Sequence, residues 1–165
     1  MKKIITFTLL LLAATTSFAQ WQFKSTSDGV TAYVKSNDDP NKATLMFTNT
    51  SLGLILGMQS DTYVYDSIKV EFIFEINGQK KAYIFSGVHA LNDDDYYSIW
   101  IFPYKNFNNL RDASKIWDDE FVSDFKTASK LSVRLTEYLL EKFAKTYTFN
   151  MKGSTKAYNT VNNSK

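Results

Sequence analysis

The chain has 165 residues, no cysteine, and 19 basic against 17 acidic side chains. That length suits one domain of ordinary size. Without cysteine the chain can form no disulfide, thiolate metal site, redox dithiol or cysteine nucleophile, so its stability rests on the core.

The start reads as a secretory signal. Lys2 and Lys3 make a short basic beginning, residues 4–14 are an apolar run, and Ser17 and Ala19 put small side chains at the −3 and −1 positions of a cut before Gln20. The run is shorter than the roughly 20 residues a membrane span needs, and no cysteine follows it to take a lipid. Residues 1–19 are therefore expected to be removed, leaving no membrane anchor. Residues 20–161 are expected to fold as one domain and residues 162–165 to fray. Loss of Lys2 and Lys3 leaves 17 basic and 17 acidic residues. A neutral domain is a poor general nucleic-acid binder, and no nucleic-acid role is expected. The neutrality is uneven: residues 126–165 hold eight basic and two acidic side chains, whereas residues 28–124 hold eight basic and fifteen acidic. This is either complementarity inside the fold or a basic patch for an acidic partner.

The next stretches read as strands. Trp21 and Phe23 alternate with polar residues, Asp28-Gly29 marks a turn, and Val30, Ala32 and Val34 share a face. Residues 36–42 (SNDDPNK) form a polar loop, since Pro40 resists regular pairing. Leu45 and Phe47 alternate again. Residues 52–58 (LGLILGM) are continuously apolar apart from two glycines, which suggests a strand buried on both faces or a bulged one. Residues 59–66 hold the pair Tyr63 and Tyr65. From residue 68 to 88 the pattern is a hairpin: Ile68, Val70, Phe72, Phe74 and Ile76 share a face, and Asn77-Gly78 tolerates the positive φ of a two-residue turn. That register sets Glu75 opposite Lys80, Phe72 opposite Tyr83 and Val70 opposite Phe85.

After the polar run 92–95, residues 96–102 form an aromatic strand ended by Pro103. Residues 118–130 read as a helix, with Phe121, Val122, Phe125 and Ala128 at helical spacing, Asp118 as N-cap, and acids and lysines at the ends the dipole favours. Leu131, Val133 and Leu135 line one strand; Phe143, Tyr147, Phe149 and Met151 line the next. Gly153 ends it, and Ser154 is placed to cap a short helix whose Ala157 and Val161 face the sheet. The fold class is thus mainly β: an antiparallel β-sandwich of about eight or nine strands, with one inserted helix and a short C-terminal helix. A closed barrel is the alternative.

Chemistry is sparse in this pattern. His89 is the lone histidine, too little for a zinc site of three good ligands or, without a Gly-x-Ser-x-Gly elbow, for a serine triad. Asp93, Asp94 and Asp95 lack the spacing and central glycine of an EF-hand loop, and phosphate-cradling glycine loops are missing. No catalytic residue, metal site or cofactor is expected. Two surfaces remain. Arg134, Tyr138, Lys142 and Lys145 surround the final hairpin and form the candidate partner-binding patch. Trp100 and Tyr104 form the candidate aromatic platform, with Tyr63, Tyr65, Tyr96 and Tyr97 as further rings.

The arrangement Phe121-x-x-x-Phe125, then KLSVRLT (130–136) with Tyr138, then YTFNMKG (147–153) with Ala157, resembles the C-terminal half of the VasI/TagO-like periplasmic accessory proteins of type VI secretion. Trp21, the strands at Leu45 and Leu54 and the Asn77-Gly78 hairpin fall in the family's order. Ile76 stands where the family tends to carry an acid before the turn, and the family's third-strand cysteine is missing around Phe47. The resemblance implies a β-sandwich, export and an accessory role, and lends no catalytic residues. The expectation is an exported, non-enzymatic module, periplasmic or extracellular, that contacts a protein or envelope component. The alternative is a carbohydrate-binding or carbohydrate-active domain that uses exposed aromatics. The sequence leaves the oligomeric state open.

Overall fold

The computed structural model describes residues 21–26, 29–40, 42–50, 53–61, 67–90, 97–103, 117–137 and 143–164. The signal segment, Tyr63, Tyr65, Asp93, Asp94, Asp95 and Tyr96 lie outside the described residues, as do the candidate site residues Tyr104, Tyr138 and Lys142.

The described chain is mainly β, with nine strands and two helices. They are β1 (Gln22–Thr26), β2 (Gly29–Lys35), β3 (Ala43–Thr50), β4 (Gly53–Ser60), β5 (Ser67–Ile76), β6 (Gln79–Ala90), β7 (Tyr97–Pro103), α1 (Asp119–Thr127), β8 (Lys130–Glu137), β9 (Phe143–Asn150) and α2 (Ser154–Asn162). The strands form one antiparallel sheet in the order β1-β2-β3-β4-β7-β6-β5-β8-β9. The chain thus runs as a meander to β4, crosses two strand positions to lay down β5, returns through β6 and β7, and crosses again with α1 to place β8 beside β5.

The sheet bends back on itself in a sandwich-like arrangement. The loop after β2 reaches the far edge strand β9: the Asn37 amide donates to the Thr148 carbonyl at 2.8 Å, and the Asn150 amide donates to Asn37 Oδ1 at 3.1 Å. Asp38 accepts from the Thr148 hydroxyl at 2.6 Å. These bonds occupy backbone groups that an edge strand otherwise offers to a second chain.

Alternation decides the inner face. Ala32, Val34, Leu45, Phe47, Leu56, Met58, Ile68, Val70, Phe72, Phe74, Leu131, Val133, Leu135, Tyr147 and Phe149 are buried in one cluster. Every second residue of a strand points to the same side, so this set fixes the register. The Asn77-Gly78 hairpin has the expected pairing, Glu75 to Lys80, Phe72 to Tyr83 and Val70 to Phe85, with Asn77 at φ 51 and Gly78 at φ 76. Gly87 is required by packing: a Cβ there would meet Ile99 Cγ2 at 2.7 Å and the Ile68 and Val70 side chains at 2.9 Å.

Three local expectations need correction. Strand β4 is not buried on both faces: Leu56 and Met58 enter the core, while Ile55 and Gln59 are half-buried on the outer side. Phe23 does not join the core, because β1 is the edge strand and leaves it 41% exposed. Ser154 does not cap α2. The N-cap is Gly153, in the left-handed region at φ 90, and the Ser154 hydroxyl instead donates to the Lys126 carbonyl at 3.1 Å.

That last bond joins the helices end to end. The Thr155 hydroxyl also donates to the Lys126 carbonyl, at 2.8 Å, so the negative end of α1 meets the positive end of α2. Asp118 caps α1 as expected, accepting from the Phe121 amide at 2.7 Å. Phe121 and Phe125 of α1 and Ala157 and Val161 of α2 complete the core. Phe121 packs its ring against Trp117 at 4.9 Å, Tyr83 at 5.2 Å and Phe85 at 5.3 Å. Trp21 joins the N-terminus to this cluster, 5.4 Å from Phe47 and 5.9 Å from Phe125 between ring centroids.

Candidate functional site

The final hairpin separates two residues that the sequence groups together. Arg134 lies opposite Thr146 on the outer face, whereas Lys145 lies opposite Leu135 on the core-facing side. Arg134 Nη1 is 2.9 Å from Glu71 Oε2 across the β5–β8 pair. Lys145 Nζ donates to Asp61 Oδ1 at 2.9 Å and Oδ2 at 3.0 Å, and the Tyr147 hydroxyl donates to Asp61 Oδ1 at 2.7 Å. The hydrogen bond to Asp61 raises the Lys145 pKa, against a smaller opposing effect of burial. Both cations come from the basic C-terminal region and both acids from the acidic one, so here the uneven charge is answered inside the fold.

Among the described residues a second titratable cluster was not visible in the sequence, because it joins α1 to the end of the β5–β6 hairpin. Lys81 Nζ lies 2.6 Å from both Glu120 Oε1 and Asp124 Oδ2, and the Tyr83 hydroxyl donates to Asp124 Oδ2. The bonds to Asp124 and Glu120 hold the ammonium well above the ordinary lysine range. Burial, then the bond to Asp124, pushes the Tyr83 phenol up to about 12. Burial alone would raise Asp124, but the bonds from Lys81 and Tyr83 prevail and hold it below the usual carboxylate range. Each shift strengthens the protonation state the group already has at neutral pH. Acid–base catalysis needs pKa values drawn toward the operating pH, so the cluster acts as a clamp between α1 and the sheet.

Among the described residues an open hollow of about 610 Å³ lies against α2, lined by Gly153, Thr155, Lys156, Asn159, Thr160 and Asn163. A void of about 10 Å³ lies under α1, lined by Phe47, Leu54, Trp117, Phe121 and other apolar side chains. That is about the room one water needs, in surroundings with no polar partner for it. Among the described residues no group of three or more histidine, acidic or cysteine side chains is placed to hold a metal, and no helix is long and apolar enough to cross a membrane.

The outer face of β2, β3, β4 and β7 has a different character. One transverse row runs Tyr33, Met46, Gly57, Trp100. Beside it run Thr31, Thr48 and Ile55 on one side, and Lys35, Thr44, Gln59 and Ser98 on the other. Lys35 lies in these rows, and Lys24 of β1 continues the Thr31 row. Tyr33 stands apart from the other tyrosines whose side chains are described: Tyr83 and Tyr147 donate to carboxylates, and Tyr158 lies under Lys126 Nζ at 4.2 Å. Among the described residues the Tyr33 ring and hydroxyl take part in no such interaction. Sequence reasoning placed Trp100 in a platform but missed Tyr33 and Met46, since only the strand order brings β2 and β3 into line with β7.

No protein-family model matches the chain, and a search of curated proteins finds no relative.

Proposed function

We propose that this protein is an exported, non-enzymatic binding module that contacts a protein or another component of the cell envelope. The observation that carries the reading is the outer face around Tyr33, Met46 and Trp100, an uncharged stretch of sheet whose tyrosine is used by nothing else among the described residues. Residues 1–19 supply the export signal. The likeness of residues 121–157 to VasI/TagO-like proteins supports an accessory role beside a secretion system.

Co-sedimentation with purified bacterial envelopes tests the reading. The mature protein is expected to begin at Gln20 and to pellet with envelopes, and Tyr33→Ala with Met46→Glu is expected to keep it in the supernatant while far-UV circular dichroism stays unchanged. A purified protein that retains Met1, or a wild-type chain that never pellets, overturns it.

A further inference from the structure

We infer that the outer face of β2, β3, β4 and β7 binds an uncharged polysaccharide laid across the strands along the row Tyr33, Met46, Gly57, Trp100. The inference rests on the binding-module reading and names the ligand class for its site.

Geometry supplies the first argument. The row crosses four neighbouring strands, so Tyr33 and Trp100 stand about 14 Å apart at the usual strand spacing. Of this row the described side chains are those of Tyr33 and Met46, which are direct cross-strand neighbours. Next along the row Gly57 has no side chain, and a Cβ there would lie 3.3 Å from Met46 Cγ. The Met46 side chain therefore lies across β4 and makes a low apolar floor. An extended ligand with flat apolar faces fits such a floor.

Charge supplies the second. An anionic polymer calls for clustered Lys and Arg, and here Lys35 and Lys24 of β1, the latter opposite Thr31, stand apart at opposite margins with no cation between them. The acidic outer positions Glu71 and Glu75 sit on the other half of the sheet.

Hydrogen bonding supplies the third. Thr31, Thr44 and Gln59 are half-buried and interleave with the apolar residues, and among the described residues their side chains bond to nothing. Covering each with an apolar protein surface would leave a polar group unpaired, which is unfavourable. A chain of sugar rings carries hydroxyls along both edges and CH groups on its faces. It pairs the former with Thr and Gln and stacks the latter on Tyr33 and Met46.

Native affinity electrophoresis of the mature protein tests this, in gels cast with hydroxyethylcellulose, xyloglucan or galactomannan, with anionic alginate as the charged control. Retardation is expected in at least one uncharged gel and not in alginate. Tyr33→Ala and, separately, Trp100→Ala are expected to weaken it at least tenfold, and Arg134→Glu to leave it unchanged. Retardation that Tyr33→Ala does not alter, or that alginate matches, overturns the inference. So does a lack of retardation in all three uncharged gels. If those gels fail while envelope sedimentation is still lost in Tyr33→Ala, the ligand class is wrong and the module reading stands. If sedimentation fails as well, both fall.

Discussion

On the half of the sheet built from β5, β6, β8 and β9, outward charges are matched among uncharged neighbours such as Ile73, Ala82 and the exposed Ile84: Glu71 meets Arg134, and Glu75 lies between Lys80 and Lys130. On the half built from β2, β3, β4 and β7 the corresponding positions hold threonine, tyrosine, methionine, glycine and glutamine, with Lys35 at the margin. Both halves turn the same kind of inward face, phenylalanine and branched aliphatics, into one core. Folding explains that inner face in both halves. It explains the paired charges too, since opposite signs across adjacent strands are mildly favourable. It does not ask for an uncharged, ring-bearing outer face, and a sheet surface that solubility alone shaped would carry more charge.

Three measurements bear on the contrast. The largest effect concerns the shared interior. Phe47 of the uncharged half and Phe72 of the charged half are both buried, so Phe47→Ala and Phe72→Ala are each expected to cost about 3–5 kcal/mol. Urea unfolding should remain one transition in both variants; two transitions would mean that the halves are separate units.

A smaller effect concerns the clamp that fastens α1 to the charged half. Tyr83 titrates near 12 in the fold and near ~10 when free. Its proton is held more tightly in the folded state, so its contribution is complete below ~10 and is lost as pH rises through about 12. Lys81 is shifted the same way and reinforces the trend. Between pH 9 and 11 the Tyr83 share of the loss is about 1 kcal/mol. Tyr83→Phe is expected to flatten the pH dependence by that amount, and Trp117 fluorescence reports it because that indole packs on Phe121.

The smallest effect concerns a surface pair. A double-mutant cycle on Glu71 and Arg134 is expected to give a coupling of about 0.2–1 kcal/mol that shrinks with added salt. A coupling well above that would give Arg134 a structural weight that its exposed position does not suggest.

Much of the fold was legible because period-two burial writes itself into the residues. The register at Asn77-Gly78, the inward faces of β8 and β9, the N-cap at Asp118 and the buried Ala157 and Val161 all follow from local pattern. What pattern could not show was strand order. Nothing in residues 28–61 announces that β4 neighbours β7, that the loop after β2 seals β9, or that Lys145 belongs with Asp61. The bulge between Leu135 and Thr136 also escapes an alternation count. The candidate site suffered most. A row that crosses four strands is assembled from residues as far apart in the chain as Tyr33 and Trp100, so only one of its aromatic ends was noticed. The same limit applies to Arg134 and Lys145, which are close in sequence but lie on opposite faces of the sheet.

Trp21 packs edge-on against Phe47 and at a tilt against Phe125 and sits against Gly153, whose Cβ would be 3.5 Å from the indole ring. The first described residue thus meets the start of the last helix, and no N-terminal fragment of this chain contains a finished interior. Until residue 153 is available, the earliest strands lack the surface they close upon. Closure is therefore a late event of the whole chain, so a growing or threading polypeptide stays open until its final segment arrives.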